Sequence, residues 1–220
     1  MAGILHGISV WALPVILAVV LHEVAHGWVA NRLGDPTARM MGRLTLNPLK
    51  HIDPFGTVIA PLLLLAMHSP IIFGYAKPVP VDFSRLRRPK RDMVWVALAG
   101  PATNVLLALA SALILHGAAR LPGSMAWLAE PVAAMCQASI LINMVLCIFN
   151  LVPLPPLDGG RVAVGLLPRP ASGWLARLEP VGFLIIIGLL LVGVLQRLIG
   201  PPIMMATNAL VGWAVGAPVF

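Results

Sequence analysis

Residues 4 to 33 read ILHGISVWALPVILAVVLHEVAHGWVANRL, a stretch apolar and long enough to cross a bilayer that nevertheless carries His22-Glu23-Val24-Ala25-His26 near its end. A membrane-spanning helix needs about 20 apolar residues, so the run is read as a span. On a helix, positions 22 and 26 lie on one face, and their imidazoles can converge on one zinc ion. Glu23 then sits beside the metal, where its carboxylate can take a proton from zinc-bound water. Ionisable side chains at the centre of a span cost about 2.5–3.5 kcal/mol on insertion scales and are usually functional. Three of them within five residues outweigh a chance match to the motif.

The rest of the chain has the same character. Of its 220 residues 59% are hydrophobic and only 10% charged, with a mean hydropathy of +0.93, outside the balance of soluble domains. The expectation is an all-α polytopic membrane protein of one domain, residues 1 to 220, with a core of about 4 to 165 and C-terminal helices at about 175 to 220. Residues 93 to 118, 132 to 152 and 180 to 199 supply further spans. Two stretches are ambiguous: 55 to 74, with Pro61 and Pro70, and 202 to 220, with Asn208 and Pro218. The first run continues past any plausible cleavage site, so it is expected to remain in the mature protein.

Lys and Arg concentrate at residues 34 to 54, 75 to 92 and 153 to 179, whereas 1 to 21 has none and 119 to 131 has only Arg120. If 55 to 74 dips into the bilayer and returns, all three basic loops lie in the cytoplasm with the N-terminus outside, as the positive-inside rule favours. The net charge of +7 is thereby assigned to topology, and nucleic acid is excluded as a partner because the basic clusters lack interleaved aromatics. Residues 39 to 46 and 77 to 83 combine Pro, Gly and β-branched residues, which predicts a small membrane-associated β element between the first and second core helices. Extended backbone at that depth is tolerated only beside a polar cavity or inside protein. Cys136 and Cys147 share one apolar run and are read as reduced packing residues.

A catalytic zinc takes three protein ligands and keeps one position open. His6 lies about 24 Å from His22 along the helix and is too remote. His51, Asp53, His68 and His116 sit where caps, turns and interfacial residues are common. Asp158 is the better candidate, because it ends the run NLVPLPPLDGG at 150 to 160, where three prolines break a helix and two glycines permit a turn. Alone, such a run is an ordinary turn; beside an intramembrane HExxH it becomes a ligand candidate.

HEVAH at 22 to 26, AKPVPV at 76 to 81, GPATN at 100 to 104 and NLVPLPPLDGG at 150 to 160 together resemble, in order, the motifs of the site-2 protease family of intramembrane zinc metalloproteases, most closely its short bacterial and archaeal members. The resemblance implies a three-helix catalytic core and one Zn2+ per chain, with Asp158 as third ligand. It also implies a site towards the cytoplasmic side of a prokaryotic cell membrane, and substrates that are transmembrane proteins or peptides entering unwound from the lipid bilayer. It further implies that Asn104 and Asn150 contact substrate or scaffold the site, the alternative for each being an interhelical hydrogen bond. Gly100 and Pro101 are read as packing and kink residues. No stretch resembles a PDZ insertion or a nucleotide-sensing domain. The rival reading is a zinc transporter or non-proteolytic metal-binding protein. It would need a polar relay through several spans, for which only Asn104, Gln137, Asn143 and Asn150 are available.

Overall fold

The structure, a computed structural model, describes residues 2–59 and 76–216. Its helices are α1 (Ala2–Leu33), α2 (Thr37–Met40), α3 (Pro89–Ala118), α4 (Ala126–Asn150), α5 (Asp158–Leu166), α6 (Ala171–Ala176), α7 (Glu179–Leu191) and α8 (Val194–Val215). Four are long and apolar enough to cross a membrane: α1 from Ser9, α3, α4 with the short turn before it, and α8. The first three match the expected spans.

α3 is the central helix and packs against α1, α4, α5 and α8. Its buried residues recur every three or four positions, at Val96, Gly100, Asn104, Ala108, Ser111 and Leu115. Its exposed positions are large, among them Leu106, Leu109, Leu113 and Ile114. Both faces are apolar, so what distinguishes them is size. Small residues line the inside because lipid offers no hydrophobic drive between helices, and close backbone approach supplies the attraction instead. The cysteines follow the same rule: Cys136 packs with Leu115, Ile140 and Ala214, and Cys147 with Ala108 and Met144.

All six tryptophans are exposed. Trp28, Trp95 and Trp174 flank the basic loops, with Arg32 stacked over Trp28 and Arg177 over Trp174. Trp11, Trp127 and Trp213 lie at the opposite helix ends. Two bands of tryptophan are the pattern of membrane–water interfaces.

Two expectations are corrected. The run at 180 to 199 is not one span: Gly193, at φ +73°, turns the chain in the left-handed region between α7 and α8. That leaves α7 with 13 residues, about 20 Å of helix and too short to span alone. The fourth span is instead α8, which carries Gly200, Pro201 and Pro202 inside it and absorbs most of the ambiguous tail. The expected β element is also absent, since no strand occurs among the described residues. Residues 39 and 40 belong to α2, and residues 77 to 82 are extended but unpaired. Pro78 and Pro80 have no N–H to give a ladder. The donors that remain go elsewhere: Lys77 N–H to His51 O, Val79 N–H to Glu23 Oε2 and Asp82 N–H to Asp35 Oδ2. The Arg43 guanidinium takes the carbonyls of Lys77 and Pro78. Asp82 itself, partly exposed, is held below the usual carboxylate range by the hydroxyl and N–H of Ser84 and then by Arg85. The re-entrant reading of 55 to 74 lies, from residue 60 onward, outside the described residues, as do residues 217 to 220.

Candidate metal centre and active site

α1 presents His22 and His26 one turn apart towards α3. Both are buried, and their Nε2 atoms stand 3.0 Å from each other. Asp158 reaches the same point from the first residue of α5, with Oδ2 3.3 Å from each Nε2. The prolines of 153 to 156 do unwind the chain after α4. The two glycines serve a different purpose from the expected turn: they lie in the first turn of α5, where a Cβ on Gly159 would stand 2.2 Å from Leu151 O and one on Gly160 2.1 Å from Pro155 N. Their lack of side chains lets α5 begin directly beneath the loop that ends α4.

What these three groups can bind follows from their hydrogens. His22 Nδ1 lies 2.6 Å from Asn104 Oδ1 and His26 Nδ1 2.7 Å from Val96 O. Both partners are acceptors, so each Nδ1 carries a proton, and in the neutral form of each ring Nε2 presents a lone pair. The Asp158 Oδ2 atom is buried with no hydrogen-bond donor. Two lone pairs and a carboxylate oxygen, all within 4.8 Å of one another, repel unless a cation lies between them. Two imidazoles and one carboxylate with a remaining open position suit zinc in a catalytic role, and the Nδ1 bonds are the outer contacts that such ligands use. Among the described residues no other cluster of three ligating side chains could hold a metal.

α3 makes room for this centre. A Cβ on Gly100 would stand 2.4 Å from His26 Nε2 and 2.6 Å from His22 Nε2. Val96, Gly100 and Asn104 are successive four-residue steps on one helix face: a carbonyl for one histidine, a gap for both and an amide for the other. Sequence reading assigned Gly100 to packing and missed Val96 altogether. Nothing local marks either residue, because their partners lie about 75 residues away in the chain.

Glu23 is half-buried and lines two cavities that meet at His22. The larger, about 470 Å3, is mostly apolar, walled by Val19, Leu146, Phe149, Phe183 and Ile186. The smaller, about 220 Å3, contains His22, Glu23, His26 and Asp158 together with Arg161. Arg161 pairs with Glu179 Oε1 at 3.1 Å, outside this cavity, and its guanidinium lies over the ring of Phe83, which also lines it. Val79 N–H holds one oxygen of Glu23 at 2.8 Å. This contact is also missed by sequence reading, although the AKPVPV stretch that makes it was noted.

Of the two asparagines, Asn104 is fully buried behind His22, and its amide also donates to Ala18 O and Asn143 Oδ1. Asn150 donates one turn back to Leu146 O and borders both cavities without touching the ligand atoms. His51 accepts no place in the centre: it is buried against Thr45 O, and His116 bonds Ala214 O and stacks on Trp213.

The sequence profile described as peptidase family M50 matches residues 10–123 and 117–193. The chain belongs to peptidase family M50. As a member of M50 it is an intramembrane zinc metalloprotease, and Zn2+ is its metal. It is 38% identical over 178 residues to YwhC of Bacillus subtilis, named as a candidate zinc metalloprotease, an alignment covering 79% of this chain and 76% of that protein. It is 32% identical to the similarly named Rip2 of Mycolicibacterium smegmatis, over 83% of this chain and 66% of that one. Rip2 of Mycobacterium tuberculosis is 31% identical over 66% of this chain and 52% of its own length. No solved structure gives a significant match. M50 membership leaves the transporter reading without support.

Replacing Asn104 with Ala removes the acceptor behind His22 Nδ1. Loss of such an outer partner weakens metal binding by about 10–100-fold. Chelator competition on the purified protein should read a drop of that size, and wild-type affinity would contradict the geometry.

Proposed function

We propose that His22, His26 and Asp158 hold the zinc, with Glu23 as general base and then acid, and that the enzyme cuts an unwound segment of a membrane-embedded substrate near the interface bearing the basic loops. The observation that carries this reading is the convergence of two imidazole lone pairs and the donorless Asp158 oxygen on one point. Asn104 is a positioning residue on this reading, and Asn150 borders the substrate's path. The chain works as one integral-membrane peptidase domain.

Bound zinc supplies Lewis acidity, polarising a carbonyl and lowering the pKa of bound water towards about 7. The protein's own groups do the rest. Glu23, one oxygen fixed by Val79 N–H, takes the proton of the attacking water and returns it to the departing amine. The apolar cavity receives the side chains flanking the scissile bond, and the smaller cavity is the route for water.

Depth supports the placement. The proposed zinc ligands of α1 centre about 6 Å along the helix from Trp28, and Gly100 lies about 7.5 Å from Trp95 on α3. Both distances support a shallow site near the basic band. The positive-inside rule favours a cytoplasmic position for that band, and the bacterial origin of the relatives supports a prokaryotic cell membrane.

A model transmembrane peptide in proteoliposomes tests this. Cleavage should stop on chelation and return with zinc, with cuts in the first two turns of the span on the basic-loop side. Chelator-resistant cleavage would sink the metal assignment, and cuts near the opposite interface would sink the depth.

A further inference from the structure

Asn104 can serve His22 only if its amide is the right way round. With the carbonyl towards Nδ1, as found, the imidazole keeps its proton on Nδ1 and aims a lone pair from Nε2 at the metal. With the amide reversed, its NH2 would face Nδ1, the proton would move to Nε2, and an N–H would occupy the metal's place. An amide has nearly the same shape in either orientation, so something else must choose.

The choice can be traced along one hydrogen-bonded chain. Asn143, 1% exposed, donates its Nδ2 to Ser139 O at 2.8 Å. A main-chain carbonyl only accepts, so it fixes the Asn143 NH2 and turns the Asn143 carbonyl the other way. That carbonyl takes Asn104 Nδ2 at 2.8 Å. Asn104 Oδ1 is then left facing His22 Nδ1. Ala18 O assists at a longer 3.3 Å. The Ser139 hydroxyl, itself bonded to Ser111 Oγ at 2.7 Å, lies 3.3 Å from Asn143 Nδ2 and closes the far end. His26 needs no such chain, since its Nδ1 meets the carbonyl of Val96 directly.

We infer that Asn143, on α4 and out of contact with the metal ligands, is a positioning residue that fixes the proton of His22 through Asn104 and thereby raises zinc affinity. The inference rests on the assignment of His22 as a ligand. Because Ala18 O continues to favour the productive amide, losing Asn143 should weaken binding by about 10-fold, the lower end for an outer-shell contact.

The test measures zinc dissociation constants by chelator competition for wild type, His22→Ala, Asn104→Ala, Asn143→Ala, Asn143→Leu and the double variant Asn104→Ala/Asn143→Ala. Asn143→Ala leaves space and Asn143→Leu fills it, so their packing costs differ while the lost hydrogen bonds are the same; if one fails to fold, the other serves. The expected result is a similar drop of about 10-fold in both, with the double variant no weaker than Asn104→Ala alone. Wild-type affinity in the Asn143 variants, or losses that add in full in the double variant, would overturn the inference. If His22→Ala binds zinc as wild type does, the ligand assignment itself fails, and that outcome is separable from the others.

Discussion

Glu23→Gln is expected to retain zinc at the wild-type level and to slow peptide cleavage by about 10²–10⁴-fold, the usual contribution of a positioned general acid–base group. The substitution is almost isosteric. The carboxamide oxygen can still accept from Val79 N–H, which holds Glu23 at 2.8 Å, so the AKPVPV segment should stay in place. Glu23 lies outside the group of converging ligand atoms, so the metal has no reason to leave. What Gln lacks is basicity, and the attacking water then has no group to take its proton. Metal analysis and cleavage of a transmembrane peptide, measured on the same preparation, separate the two effects. Equal cleavage would remove Glu23 from the base role, and lost zinc would make it a ligand.

Gly100→Ala is expected to weaken zinc binding by about 100-fold or more and to abolish cleavage in step with the metal. The added methyl carbon would stand 2.4 Å from His26 Nε2, 2.5 Å from His22 Cε1 and 2.6 Å from His22 Nε2, distances that packed carbon atoms do not adopt. Ordinary overpacking costs about 1–3 kcal/mol, and here the strain falls on both imidazoles at once. They cannot swing aside together, because Val96 O and Asn104 Oδ1 hold them to the same helix one turn below and one turn above. Either the rings leave those acceptors or α3 moves away from α1. Zinc content after purification reads the effect directly, and full occupancy with normal turnover would show that the cradle has slack.

Legibility from sequence followed how local each feature is. The convergence of His22 and His26 was readable because helix geometry alone decides that positions four apart share a face. That Asp158 would meet them was reached by eliminating the other candidates and by the family resemblance, since the prolines announce only where a helix must stop. Gly100, Val96 and Asn143 were not: a missing side chain, a main-chain oxygen and a buried amide gain meaning only from partners far along the chain. The split of 180 to 199 escaped because hydropathy is blind to one left-handed glycine, here Gly193. The β element was misjudged because Pro and β-branched residues favour extended backbone whether or not a neighbouring strand exists, and Pro78 and Pro80 remove the donors that pairing requires.

The two histidines are backed by different kinds of chemistry, and this bears on how the enzyme can vary. The acceptor behind His26 belongs to the main chain, so every residue that position 96 could encode still supplies it. The acceptor behind His22 is written in side chains, first Asn104 and then Asn143, each open to change by a single codon. One arm of the centre is therefore insulated from mutation at its supporting position while the other can be detuned in steps. Inheritance can thus adjust how tightly this centre would hold metal without altering His22, His26 or Asp158.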